Sequence, residues 1–228
     1  TVEFMVDKHQ NYYFLEMNTR IQVEHPITEM VTGIDLVKEQ IQVAAGKKLS
    51  FTQDDIKPKG HSIECRVYAE DGFNNFTPST GVIQEMTIPH GLGVRLDEGV
   101  RTGQEITPYY DPLIGKLITW GDDRQTALSR MCRALSEFHI VGIESTIPFC
   151  HIVFLHPTFQ RGEYNTHTLD AIKEELLKEL TIHRTANNLA ARIGAVQLHC
   201  QERTTLKPLP RKVSASQWTS AGRHDGIE

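Results

Sequence analysis

The sequence of 228 residues lacks the features that mark several classes of protein. It contains only four cysteines, none of which forms a Cys-x-x-Cys pair, and this argues against a zinc site. No apolar run approaches the ~18 residues that a transmembrane helix needs, so we expect no membrane partner. The formal net charge is -5 at pH 7, so no surplus of basic residues favours binding to nucleic acid.

The cysteines are better explained as small buried side chains than as ligands. Cys65 alternates with Ile63 and Val67, as in a half-buried strand, and Cys132 is in helical register with Leu128. Reduced, buried thiols are typical of proteins in a reducing compartment. We therefore expect a cytoplasmic location.

The chain starts with two strand-like runs. Val2–Val6 and Tyr12–Met17 are rich in β-branched and aromatic residues, and the polar segment Asp7–Asn11 lies between them. This pattern predicts a β-hairpin. Because a chain seldom starts inside a strand, and Thr1 is followed at once by Val2, we expect the sequence to be part of a longer protein.

The rest of the sequence predicts helices and short strands. Apolar residues at helical spacing come first, and the polar segment 51–60 then predicts a linker. Short strand-like runs between Gly, Pro and Asn clusters occupy residues 61–120. Helical patterns return around residues 128–138 and at 168–180. In residues 181–228 basic residues outnumber acidic ones, and the composition of 207–216 predicts a basic tail or linker.

Polar residues occupy every second position from Glu16 onward. In an extended segment they would share one face, which would carry Glu16, Asn18, Arg20, Gln22 and Glu24. Such a face is either simply solvated or built to bind a ligand, and an arginine between acidic residues favours binding.

The hairpin register decides what faces Glu16. If Val6 pairs with Tyr13, then Phe4 pairs with Leu15 and Glu3 lies opposite Glu16. Two opposed carboxylates repel each other, and a divalent cation between them would remove that repulsion. Asn18 would supply a third oxygen, and Mg²⁺ suits a hard site with few protein ligands.

Four blocks of the sequence resemble biotin carboxylases, which are ATP-grasp enzymes, in the order found in that family. They are EMNTRIQVEHPITEMVTGIDLV at 16–37, GHSIECRVYAED at 60–71, PYYDPLIGKLITWG at 108–121, and the segment 133–143. The resemblance covers residues 1–180 and implies an α+β fold. Residues 1–50 would complete the ATP-grasp domain, and 60–180 would form the biotin carboxylase C-terminal domain, an antiparallel sheet with packed helices.

The resemblance also implies a metal site and two groups that bind bicarbonate. Glu3, Glu16 and Asn18 correspond to the residues that hold Mg²⁺ or Mn²⁺ and, through the metal, ATP. Gln22 and the backbone N–H of Val23 correspond to bicarbonate contacts.

Three further residues are implied to be catalytic. Arg20 corresponds to the arginine that holds bicarbonate and the carboxyphosphate made from it. Glu24 corresponds to the general base that deprotonates bicarbonate, which is a poor nucleophile toward the γ-phosphate of ATP. Arg66 corresponds to the arginine that binds bicarbonate and the enolate of biotin.

The implied reaction is the ATP- and bicarbonate-dependent carboxylation of carrier-bound biotin. The implied partners are a biotin carboxyl carrier protein or domain, a carboxyltransferase component, and a second copy of the chain bound through the C-terminal domain. The family's glycine-rich loop and nucleotide-binding lysines precede the matched region, so we expect this chain alone to be inactive. A eukaryotic parent would place it in the mitochondrial matrix.

Alternatives remain open at this point. The motifs resemble acetyl- or propionyl-CoA carboxylases more than pyruvate carboxylase, but a pyruvate carboxylase domain is a second possibility. Another ATP-grasp ligase, such as a carbamoyl-phosphate synthetase, is a third, and a non-catalytic dimer or complex scaffold is a fourth.

Overall fold

The structure, a computed structural model, describes residues 1–203, and their side chains as far as residue 198. Residues 204–228, which contain most of the predicted linker, lie outside the described residues. Within the described part, no helix combines the length and the apolar character that a membrane crossing requires. The described chain falls into two compact units divided after Thr181.

The secondary structure mixes short strands with helices, as the sequence predicts. The strands are β1 (Val2–Val6), β2 (Tyr12–Met17), β3 (His61–Tyr68), β4 (Glu70–Asp71), β5 (Thr77–Pro78), β6 (Gly81–Val82), β7 (Glu85–Thr87), β8 (Val94–Glu98), β9 (Glu105–Ile106), β10 (Leu113–Gly121) and β11 (His139–Val141). The helices are α1 (His25–Thr32), α2 (Leu36–Ala44), α3 (Arg124–Glu137), α4 (Ile147–Leu155), α5 (Pro157–Arg161) and α6 (Thr168–Arg203). A single 3₁₀ turn covers Gln53–Asp55.

Strands β1 and β2 form the predicted hairpin, but the predicted register is wrong at its turn. Val6 pairs with Tyr12, not Tyr13, because the Asp7 carboxylate accepts hydrogen bonds from the backbone N–H groups of His9 and Asn11 and closes a tighter turn. A bulge between Glu3 and Phe4 then shifts the pairing by one residue.

The bulge restores the pairing that matters for the site. Phe4 lies opposite Phe14, so Leu15 is the extra residue, and Glu3 lies opposite Glu16 as predicted. The hairpin therefore brings the two carboxylates together by a different register from the one the sequence suggested.

The core is built on an antiparallel sheet in the order β3-β10-β8. Ile63, Cys65 and Val67 of β3 point into the core, whereas Glu64 and Arg66 lie on the opposite face. This alternation confirms the sequence prediction for β3.

Helix α3 covers the apolar side of this sheet. Its buried face carries Leu128, Met131 and Leu135, and all three are almost fully excluded from solvent. The helix begins where the Asp123 carboxylate accepts a hydrogen bond from the Thr126 N–H at 2.7 Å. That bond lowers the pKa of Asp123. An antiparallel sheet with helices packed against it is therefore confirmed.

Helix α6 is much longer than the predicted helix over 168–180. Leu176 and Leu180 of its first part are buried, and the helix then continues to Arg203. The sequence holds no proline between residues 181 and 203 and several alanines there, so nothing ends the helix. The assignment of 181–228 as a tail or linker stays a prediction.

Candidate active site

The two facing carboxylates of the hairpin are bridged by amide groups. Asn18 Nδ2 donates to Glu3 Oε1 at 2.8 Å and to Glu16 Oε1 at 3.3 Å, and Gln22 Nε2 donates to Glu3 Oε1 at 2.8 Å. These donors offset the repulsion between the carboxylates. Turned by 180°, the Asn18 amide would present its oxygen instead, which gives two carboxylates and an amide oxygen.

Such a donor set suits a hard divalent cation. Within residues 1–203, no group of three or more His, Cys, Asp or Glu side chains is placed to hold a metal ion. A cation held by two carboxylates and one amide oxygen would keep coordination positions for water and nucleotide phosphates. The fit of these residues to Mg²⁺ rests on the chemistry of their oxygens.

The predicted extended face does not continue beyond Met17. Strand β2 ends there, and the chain turns so that α1 begins at His25, with Pro26 in its first turn. The His25 ring Nδ1 lies 2.7 Å from the Gln22 carbonyl oxygen, so this histidine shapes the turn. Alternation along a strand is therefore the wrong explanation for the positions of Arg20, Gln22 and Glu24.

Tertiary folding still brings these residues to one place. A cavity of about 690 Å³ is lined in part by Arg20, Gln22 and Glu24. Arg20 Nη1 donates to the Ile21 carbonyl at 3.0 Å, which holds the guanidinium close to the loop backbone. Gln22 joins this cavity to the acidic pair through its bond to Glu3.

Glu24 and Arg66 form an ion pair across 42 positions of the sequence. Arg66 Nη2 donates to Glu24 Oε2 at 2.8 Å, and the two side chains are 41% and 49% exposed. Burial lowers the pKa of Arg66, but its hydrogen bond with Tyr68 and the charges of Glu24 and Glu64 outweigh that effect and raise the pKa. The residues predicted to be the base and the biotin-binding arginine are therefore in direct contact.

Glu64 is a site residue that sequence reasoning did not single out. Its side chain is only 6% exposed, and Oε1 lies 3.8 Å from Arg66 Nε. Burial raises the pKa of Glu64, although the nearby charges of Lys116 and Arg66 act in the opposite direction. The sequence signal for it was its position two residues before Arg66 on the same face of β3. Glu24, Glu64 and Arg66 all line a second cavity of about 370 Å³.

Lys116 was also missed, although it lies in the third matching block. It pairs across the sheet with Arg66, and its Nζ donates to the Val23 carbonyl at 3.1 Å. Nζ also lies 3.3 Å from the Asp97 carboxylate. Lys116 thus holds the peptide between Val23 and Glu24, directly before the predicted base.

The ion-pair network extends from Asp97 to helix α1. Arg95 donates to both oxygens of Asp97, at 2.7 and 2.9 Å, and to Glu29 at 2.7 Å. Burial acts to raise the pKa of Asp97, but its bonds with Arg95 and the charge of Lys116 lower it overall. The same bonds with Asp97 raise the pKa of Arg95. This network ties α1, and with it the loop that carries Glu24, to strands β8 and β10.

Comparison with known families and proteins gives consistent matches. Residues 64–171 match the Biotin carboxylase C-terminal domain, and residues 1–52 match the Carbamoyl-phosphate synthase L chain, ATP binding domain. Biotin carboxylase 1 of Bacillus subtilis is 56% identical over 171 residues, which are 75% of this chain and 38% of that protein. One of the pyruvate carboxylase subunits of Methanothermobacter thermautotrophicus is 53% identical over 180 residues, which are 79% of this chain and 36% of that protein.

A solved structure agrees with these matches. The biotin carboxylase domain dimer of Hydrogenobacter thermophilus 2-oxoglutarate carboxylase, in complex with MgADP, ADP and bicarbonate, is 46% identical, with a TM-score of 0.74. The match covers 77% of this chain and 39% of that one. This chain thus spans under two fifths of each of these three relatives. With both domains matched in order and about half of the aligned residues identical to named biotin carboxylases, the chain belongs to the biotin carboxylase family.

Proposed function

We propose that this chain forms the bicarbonate-binding side of a biotin carboxylase active site within a longer protein. The parent enzyme would use ATP and bicarbonate to carboxylate carrier-bound biotin by way of carboxyphosphate. The single observation that carries the proposal is the contact of Glu24 with Arg66 at 2.8 Å beside the Glu3–Glu16 pair. A base, an anion-binding arginine and a cation site are the groups that this reaction requires.

The first step is the activation of bicarbonate. Glu24 accepts the proton of bicarbonate, and the resulting anion attacks the γ-phosphate of ATP, which forms carboxyphosphate and releases ADP. Arg20, Gln22 and the Val23 N–H hold the bicarbonate oxygens. Lys116 binds the Val23 carbonyl and so helps to position Glu24, the next residue. Arginine suits this task because its planar fork matches the geometry of carboxylate and phosphate groups.

The second step is the transfer of the carboxyl group from carboxyphosphate to a ureido nitrogen of biotin. Phosphate leaves in this step and takes up the proton of that nitrogen. Arg66 lies at the cavity shared with Glu24 and would stabilise the negative charge that develops on the ureido oxygen of biotin. Glu3, Glu16 and Asn18 would hold Mg²⁺, or Mn²⁺ in its place. When bound, the cation neutralises charge on the ATP phosphates. The MgADP and bicarbonate in the Hydrogenobacter relative support this assignment.

The partners follow from the same reaction. A biotin carboxyl carrier protein or domain supplies biotin, and a carboxyltransferase component consumes carboxybiotin. The dimer of the Hydrogenobacter relative supports a homodimer formed through residues 60–180. The relatives include pyruvate, 2-oxoglutarate and methylcrotonoyl-CoA carboxylases, so the final acceptor is a 2-oxo acid or an acyl-CoA thioester. The location is the cytoplasm, or the mitochondrial matrix of a eukaryote.

The test is an assay of the full-length protein that contains this chain, with free biotin as the acceptor. ADP release should depend on bicarbonate, and labelled bicarbonate should enter biotin. Glu24→Gln in the same protein serves as the control and should lose both activities. A folded full-length protein that neither cleaves ATP in the presence of bicarbonate nor carboxylates biotin would show that the proposal is wrong.

A further inference from the structure

One carboxylate oxygen beside the site is buried and unpaired. Among the described residues, Glu64 Oε2 is a buried side-chain oxygen with no hydrogen-bond partner. Folded proteins rarely leave such an atom unpaired, because burying a carboxylate without a partner costs free energy. An unpaired oxygen of this kind at the edge of a site points to a function that offsets the cost.

Arg66 lies between this carboxylate and Glu24. Its Nη2 is bonded to Glu24 Oε2 at 2.8 Å, while its Nε is 3.8 Å from Glu64 Oε1, which is an ion pair without a hydrogen bond. While the guanidinium donates to Glu24 Oε2, that oxygen is occupied and cannot accept a proton from bicarbonate. Movement of the guanidinium toward Glu64 would free it.

We propose that Glu64 is a positioning residue that receives the Arg66 guanidinium when bicarbonate enters the cavity, so that Glu24 is released to act as the base. The inference rests on the proposed function, since the entering anion is the substrate of that reaction. The guanidinium has five N–H donors in a fixed fork. It can bond Glu64 through Nε and one Nη group and keep the other Nη group for the anion.

The rival explanation is that Glu64 serves Lys116. The groups whose charges act on Glu64 are Lys116 of β10, Arg66 of β3, and Glu24 and His25 at the start of α1. Lys116 Nζ, however, is already bonded to the Val23 carbonyl and paired with Asp97. Arg66 has only Glu24 as a hydrogen-bonded carboxylate among the described residues, so the open Glu64 oxygen suits Arg66 better.

The experiment is a double-mutant cycle in the full-length enzyme that contains this chain. The variants are Glu64→Gln, Arg66→Met and the double variant, assayed for bicarbonate-dependent ADP release. Glu64→Gln should lower kcat/KM for bicarbonate about tenfold, within the range of coupling between contacting residues, and leave the KM for ATP unchanged. In the Arg66→Met background the same change should cost less than about twofold, because the group it positions is gone.

Thermal stability gives a second readout, because Glu64→Gln should lower kcat/KM for bicarbonate but raise the melting temperature. Because burial raises the pKa of Glu64, its charged form is penalised in the folded protein, and this cost grows as the pH rises above the usual carboxyl pKa. Glu64→Gln should therefore raise the melting temperature near pH 8 by about 2–4 °C. The gain should disappear near pH 3, below the usual carboxyl pKa, where the carboxyl group is mostly neutral in both states. Glu70→Gln is the matched control, because burial also raises the pKa of Glu70, whereas its charged neighbour is Asp111. It should leave kcat/KM unchanged.

The outcomes separate the explanations. If Glu64→Gln lowers kcat/KM for bicarbonate by the same factor in the wild-type and Arg66→Met backgrounds, the inference is overturned. It is also overturned if the effect of Glu64→Gln disappears in a Lys116→Met background and not in the Arg66→Met background. A lower melting temperature with a raised KM for ATP would assign Glu64 a structural role and overturn it as well. If Glu64→Gln is not recovered folded, Glu64→Met completes the same cycle. A wild-type enzyme with no bicarbonate-dependent ADP release would overturn the proposed function and this inference together.

Discussion

The Glu24–Arg66 pair allows catalytic and structural roles to be separated in one experiment. The changes are Glu24→Gln and Arg66→Ala in the full-length enzyme. Both side chains are close to half exposed, and exposed ion pairs contribute about 0–1 kcal/mol to the free energy of unfolding. Loss of the pair should therefore lower stability by no more than about 1 kcal/mol.

The expected effect on catalysis is several times larger. Removal of a general base costs on the order of 10²–10⁴-fold in rate, which corresponds to about 3–5 kcal/mol of activation free energy. Glu24→Gln should therefore lower bicarbonate-dependent ADP release and biotin carboxylation by the same factor. Loss of an oxyanion contact costs roughly 10²–10³-fold, and for Arg66→Ala this should fall mainly on the biotin step. That variant should keep a larger share of ADP release than of carboxylation.

The assay measures three quantities for each variant: ADP release with bicarbonate, incorporation of labelled bicarbonate into free biotin, and the thermal midpoint. Arg161→Ala is the matched control, because Arg161 and Glu163 form an exposed ion pair of 2.7 Å. It should change none of the three by a large factor. Near wild-type carboxylation by Glu24→Gln would show that Glu24 is not the base. Equal loss of both activities in Arg66→Ala would remove its separate role at biotin.

Three further predictions concern the metal site, the fold and the nucleotide. Glu16→Gln should raise the Mg²⁺ concentration needed for half-maximal activity, because one of two facing carboxylates is lost. If a magnesium titration shows the same requirement as the wild type, Glu16 does not hold the cation. Gly142→Ala should destabilise the fold more than Gly103→Ala in urea unfolding. Both glycines have positive φ, so each change strains the backbone by about 1–3 kcal/mol, but only at Gly142 would the new Cβ clash with the Val82 carbonyl oxygen. Equal losses of stability would contradict this packing. The isolated chain should not bind Mg-ATP with micromolar affinity in calorimetry, because it spans under two fifths of the length of its relatives. Binding at that affinity would contradict the prediction.

The sequence by itself determined the features that depend on neighbouring residues. Alternation in β3 separated the buried Ile63 and Val67 from Arg66, and helical spacing located the buried face of α3. These periods are local properties of a strand or a helix, so they can be read without knowledge of the fold. The matched blocks identified the family in the same way, since a motif is a short stretch of sequence.

Only the tertiary structure decided which groups meet. The bulge at Glu3 depends on how the Asp7 turn closes, and the contact of Glu24 with Arg66 joins residues 42 positions apart. The burial of Glu64 likewise depends on elements that are distant in sequence. The period of a strand fixes which face a side chain occupies. Whether that face is exposed to solvent, hydrogen-bonded or buried depends on the segments that pack against it. For this reason the sequence supplied the candidate residues of the site, whereas the unpaired oxygen of Glu64 became visible only in the folded chain.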